Sequence, residues 1–173
     1  MTSWARLARI AIVLVLIAIA TAVGWTWRHP KTFDDYPMGL QQDMRLGKVG
    51  EPFYFSLTQG WDDRPTVTLH DARPEITVNT AAAEVRVVAC RIKTTSNSLI
   101  GSAGEATASE TCDIQPIHDA TLNAKADHLT QLLLEVTPHR PGRVEVRSVD
   151  LNYSEGWRSG HQRTGDRVTL RAR

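Results

Sequence analysis

Residues 10–27 read IAIVLVLIAIATAVGWTW, eighteen consecutive positions without a charge. A helix of about 20 largely apolar residues crosses a bilayer core, and Leu7 and Ala8 extend this run. Arg6 and Arg9 precede it, and Trp25 and Trp27 close it where amphipathic aromatics settle at a membrane surface. The sequence therefore predicts a short cytoplasmic tail over residues 1–9 and a transmembrane anchor over 10–27. The other reading is a signal peptide cleaved after Ala22, because Ala20-Thr21-Ala22 has the small-x-small form of a cleavage site. Continuation of the apolar run past Ala22, into Val23 and the two Trp, favours the retained anchor. Either way the remaining chain is expected outside the cytoplasm, as a single-pass cell-membrane protein with its C-terminal domain extracytoplasmic.

The cysteines fit that placement. Cys90 and Cys112 are the only two, an even count that suits a disulfide in an oxidising compartment. Their separation, with no CxxC, makes a poor redox or metal motif.

Residues 28–49 mix charge, Pro and Gly without a sustained period. They are expected to form a juxtamembrane linker with a short helical turn near Leu40 to Leu46. From residue 50 to 173 the apolar residues alternate in short runs separated by turn residues, the pattern of an all-β domain. Phe53, Phe55 and Leu57 mark one strand, Val67 and Leu69 a second, and Ile76 with Val78 a short third. Val85 and Val87 followed by Val88, Cys90 and Ile92 change parity, as a β-bulge would make them do. Residues 93–111 read as a long polar loop, and Ile114 with Ile117 as a weak strand. Leu132, Leu134 and Val136 mark a strong one, with Leu133 on its other face. Val144 and Val146, then Val149, Leu151 and Tyr153, shift parity again, and Val168, Leu170 and Ala172 form the last strand. Seven or eight such strands predict an antiparallel immunoglobulin-like β-sandwich.

The order LLLEVTPHRPGRVEVRSVDLNY, a Gly-rich loop, then DRVTL resembles the last three strands of an immunoglobulin-like domain. Together with the single-span N-terminus, the pair Cys90 and Cys112, and the tail YSEGWRSGHQRTG, the chain is similar to uncharacterised single-pass envelope proteins of actinobacteria. That resemblance implies location and fold; it brings no activity, cofactor or catalytic residue.

The formal net charge of +1 argues against a dedicated nucleic-acid binder. It hides an asymmetry: residues 28–138 hold 10 Lys/Arg and 15 Asp/Glu, whereas residues 139–173 hold eight Arg and four acids. For catalysis, Gly101-Ser102-Ala103-Gly104 lacks nucleophile-elbow spacing. The pairs His118-Asp119 and Asp127-His128 are adjacent, where triad partners converge from separate segments. Six His are scattered singly, and Met38 and Met44 lie in the linker, so no copper motif forms. Asp34-Asp35 and Asp62-Asp63 are more simply turn acids than calcium ligands. No metal, cofactor or enzymatic activity is expected.

The C-terminal surface is the candidate site. Arg167, Thr169, Arg171 and Arg173 point opposite to Val168, Leu170 and Ala172, and Arg143, Glu145 and Arg147 opposite to Val144 and Val146. A loop over residues 154–165 adds Trp157, Arg158, His161 and Arg163, with Gly156, Gly160 and Gly165 as turn-makers. Arg and Trp dominate many binding surfaces through planar donor forks and rigid area. Trp157, Arg158, His161, Arg163, Arg167 and Arg171 are thus the expected partner surface, facing an envelope protein, an anionic head group or an acidic polymer. The competing reading is a solvated strand face neutralised by Glu145, Asp150 and Asp166. A second Trp loop, residues 59–63, is acidic. The expected function is a non-enzymatic, membrane-anchored interaction or accessory module of an envelope complex; the alternative is an extracytoplasmic carrier for copper or a small ligand.

Overall fold

The computed structural model describes the backbone of residues 2–28, 30–33, 42–58, 65–93, 99–123, 129–165 and 167–173; side chains of residues 2–9, 26 and 42–44 are outside the description. The apolar N-terminal segment forms helix α1, Thr2–Arg28. Its described side chains from Ile10 onward are exposed along the helix, Leu14 and Val23 at 61%. Among the described residues no helix is long and apolar enough to cross a membrane. The expected span rests instead on the amino-acid sequence, which carries the charge-free run on through Trp27.

Beyond α1 the described chain is mostly β. The strands are β1 Gln42–Gly47, β2 Phe53–Ser56, β3 Val67–Asn79, β4 Glu84–Ile92, β5 Ser102–Gly104, β6 Cys112–Pro116, β7 Thr121–Leu122, β8 Thr130–Thr137, β9 Gly142–Glu155, β10 Arg158–Thr164 and β11 Val168–Ala172, with helix α2 at Glu105–Thr111. They make two sheets, antiparallel except for the β1–β11 pair. One runs β1-β11-β9-β3-β7 with β10 beside β9; the other runs β5-β2-β8-β4-β6. Facing side chains of both sheets bury one core, including Phe55, Leu132 and Leu134 from the second sheet and Leu69, Leu151, Tyr153 and Leu170 from the first. The arrangement is compatible with a β-sandwich.

The second sheet is covered on both faces. Val85 and Val87 pack toward the main core, whereas Val88, Cys90 and Ile92 belong to a second cluster with Tyr54, Leu133, Ala103 and Ala108. β4 pairs with β8 in unbroken register from Glu84↔Thr137 to Arg91↔Thr130. The expected bulge at Val87 is therefore absent from that pairing. Odd and even positions simply bury on opposite faces, as in any strand covered on both sides. The lid is α2, in the segment read as a loop, with Ala108 buried beneath it. The Cys90–Cys112 disulfide joins β4 to the end of that helix, with Cα atoms 5.5 Å apart. Both cysteines are buried.

In β9 the parity shift is real. Val149 pairs with Pro74 of β3 and Val146 with Ile76, so β9 spends three residues where β3 spends two. The bulged strand lets β9 take two partners along its other edge: β11 over residues 142–146 and β10 over 149–155. Residues 42–47, expected in the linker with a helical turn, are strand β1, paired parallel to β11.

Candidate functional site

The final hairpin differs from its sequence expectation. The segment read as a loop is β10, and its register with β9 is continuous from Arg158↔Glu155 to Thr164↔Val149. Only Gly156 and Trp157 connect the two strands. Gly156 supplies the φ of +59° that a two-residue turn matched to strand twist demands at its first central position. The turn thrusts Trp157 outward, 64% exposed.

Inward positions of β10 are Gly160, Gln162 and Thr164, all buried. Gly160 is no turn-maker. It faces Tyr153 across the strands, and a Cβ there would stand 2.2 Å from the tyrosine ring. The missing side chain lets the Tyr153 ring lie flat across β10 and present its hydroxyl to residues 30–33. That hydroxyl donates to the Pro30 carbonyl at 2.7 Å, receives the Thr32 amide at 3.2 Å and also meets Gln162 Oε1. The Phe33 amide donates to Gln162 Oε1 at 2.9 Å, and the Thr32 hydroxyl to Glu155 Oε2 at 2.9 Å. The Phe33 ring meets Tyr153 edge-on at 4.9 Å and is buried in the main core. Residues just after α1 are thus built into the sandwich.

The hairpin tip closes on the helix itself. Trp157 meets Trp27 edge-on, centroids 4.9 Å apart. Arg158 is paired with Glu155 and reaches the Trp27 carbonyl at 3.5 Å. A cation is favourable there, since the last carbonyls of a helix carry partial negative charge. Arg28, Trp157, Arg158 and Ser159 line an open pocket of about 300 Å³ at this junction.

The other expected partner residues lie elsewhere. His161 and Arg163 point from β10 onto the outer face of the first sheet. His161 Nδ1 is 2.7 Å from Asn152 Oδ1, and Arg163 bonds Asp150 at 3.2 Å and approaches Glu75 at 3.4 Å. Glu75, which sequence reasoning passed over, also takes Arg147 at 3.2 Å and the Ser148 hydroxyl at 2.9 Å. Arg143 pairs with Glu145, and Arg73 with Asp71 at 2.8 Å. Much of the expected arginine column is therefore an ion-pair lattice, crossing strands at Arg147 and Arg163 and running along one strand at Arg143. Arg171 is exposed, stands opposite Arg143 on one side and Leu46 on the other, and has no ion-pair partner among the described residues. Arg167 lies exposed at the approach to β11. The structure thus divides the six residues among three places: the helix junction, the lattice and the β11 end.

Two further clusters join residues far apart in sequence; of their members, sequence reasoning had singled out only the pair His118-Asp119. His70 Nε2 is 3.0 Å from Ser154 Oγ, while its Nδ1 is 3.8 Å from Asp119, which His118 approaches at 3.2 Å. The order is that of a Ser–His–acid relay, but the second step is too long for a hydrogen bond, and His70 and Asp119 are exposed. On the α2 side, Arg86 bonds Glu135 at 2.7 Å, and Glu135 is buried with Oε2 unpartnered among the described residues. Tyr54 stands opposite Glu135. Burial, and then the neighbouring Glu135 carboxylate, push its phenol up to about 12.

Among the described residues no group of three or more His, Cys, Asp or Glu could hold a metal. The residue 59–63 Trp loop, Asp34-Asp35, His29, Met38 and Asp127-His128 lie outside the described residues. No family model, curated protein or solved structure matches the chain.

Proposed function

We propose that this chain is a membrane-anchored, extracytoplasmic, immunoglobulin-like β-sandwich that works without catalysis, as an interaction or accessory module of an envelope complex. The carrying observation is the seam at residues 30–33. A domain tethered to scavenge or ferry a ligand gains nothing from being welded to its helix. A domain that must hold a partner at a set height and attitude does. Here Pro30, Thr32 and Phe33 spend their polar groups and a buried ring on Tyr153, Gln162 and Glu155. The anchor is α1. At about 1.5 Å per residue, a 27-residue helix extends roughly 40 Å, enough for a hydrocarbon core of about 30 Å.

The partner face in this reading is the outer face of the first sheet near β11. Arg171 and the 52%-exposed Leu46 offer a charged fork beside an apolar contact there. The test is photo-crosslinking of the full chain in the membrane of its source cell, with the reactive residue at 171 or 46. A discrete protein adduct from both positions, reduced by Arg143→Glu, is the expected result. Absence of any protein adduct at both would sink the assignment.

A further inference from the structure

We propose that the β9–β10 hairpin tip is a second membrane contact, with Trp157 seated in the lipid headgroup layer and a phospholipid phosphate held between Arg28 and Arg158. This rests on the reading of α1 as the anchor, and adds what that reading does not contain: a β-element that touches the bilayer.

The helix places its two exposed aromatics, Trp25 at 68% and Trp27 at 61%, in its last turn or so. Such rings settle at the boundary between hydrocarbon and water. Trp157 belongs to a different element, about 130 residues later, yet its ring is in edge contact with Trp27. Contact fixes depth: whatever level Trp27 occupies, Trp157 shares it within a ring's width. A Trp 64% exposed at the tip of a two-residue turn leaves much of its apolar area to solvent, whereas a headgroup layer covers the rings and still serves the indole N–H.

Charge agrees with that position. The pocket at the junction is lined by Arg28 and Arg158 together with Trp157 and Ser159. Glu155 offsets one of the two guanidinium groups, which leaves the pocket cationic. Arg forks match phosphate oxygens bidentately, and the Ser159 hydroxyl is a further donor. At roughly 300 Å³ the pocket admits a phosphodiester group while staying open on the side away from the protein. Two contacts, one helical and one at the hairpin, would stop the sandwich from rotating about the helix axis.

The test uses the full chain in vesicles of phosphatidylcholine and phosphatidylglycerol. Both native cysteines are engaged in the disulfide, so one added cysteine carries an environment-sensitive dye. His161→Cys, exposed on β10 and outside the pocket lining, reports the hairpin; Val49→Cys reports the opposite end of the sandwich; Ala18→Cys reports the helix middle. Lipids with a headgroup nitroxide should quench the dye at 161 at least threefold more than at 49, and Trp157→Ala should abolish most of that difference. Equal quenching at 161 and 49, with the dye at 18 still quenched by lipids carrying a nitroxide deep in the acyl chain, overturns the hairpin contact while leaving the anchor intact. Loss of deep quenching at 18 overturns the anchor itself.

Discussion

Gly160 and Tyr153 show how one residue without a side chain can decide the placement of another. The tyrosine hydroxyl reaches Pro30 only because its ring occupies the volume a Cβ at 160 would claim. Gly160→Ala is therefore expected to cost about 2 kcal/mol by overpacking, read as a fall in the unfolding midpoint of the detergent-solubilised chain. A change under 0.5 kcal/mol would mean that the ring has another place to go. Tyr54 gives a prediction in pH. Its folded value of about 12 lies above the ordinary 10.0, so the fold favours the neutral phenol. That contribution is whole below pH about 10 and lost as pH rises from there toward about 12. Between pH 9 and 11.5, Tyr54→Phe should lose less stability than the parent chain; parallel curves would refute the linkage. Sequence could not announce Glu75 or Glu135, because a buried or shared carboxylate is defined by partners on other strands.

Among elements, those that were legible bury apolar residues at a fixed period, such as β2, β8 and the first half of β9. Those missed have no such code. β10 turns Gly160, Gln162 and Thr164 inward, so its core-facing side contains no hydrophobe to alternate. β1 contributes QDMRLG, and α2 contributes EATASET with Ala108 alone buried. β4 was misread the other way, since burial on both faces imitates a change of parity. The disulfide was legible from count alone, but its task was not: it closes the small second cluster under α2. Replacing both cysteines, Cys90→Ala with Cys112→Ala, removes a cross-link across 22 residues of sequence and should cost about 3 kcal/mol. Denaturant unfolding measures the loss, and hydrogen exchange should place the first opening in α2. A cost below 1 kcal/mol would show that packing alone holds the lid.

For the whole molecule, a mostly-β body could be read from the sequence, whereas the fusion of helix to body could not. Phe33 stood in a segment with no period, and its burial against Tyr153 depends on a strand more than a hundred residues away. Phe33→Ala should loosen the seam without unfolding the sandwich. With spin labels at Ala18→Cys and Val49→Cys, the distance distribution in nanodiscs should widen clearly relative to the parent. An unchanged width would assign the fixed attitude to the Trp27–Trp157 contact instead.

The parallel pairing of β1 with β11 joins residues 42–47 to residues 168–172. A chain emerging N-terminus first must therefore hold its first strand unpartnered through the synthesis of more than a hundred residues. No fragment lacking residues 168–172 can pair β1 within the first sheet, and that closure spans a loop of more than a hundred residues. Biogenesis would then depend on a holding factor or on delay: the β1 strand edge stays open until residues 168–172 arrive.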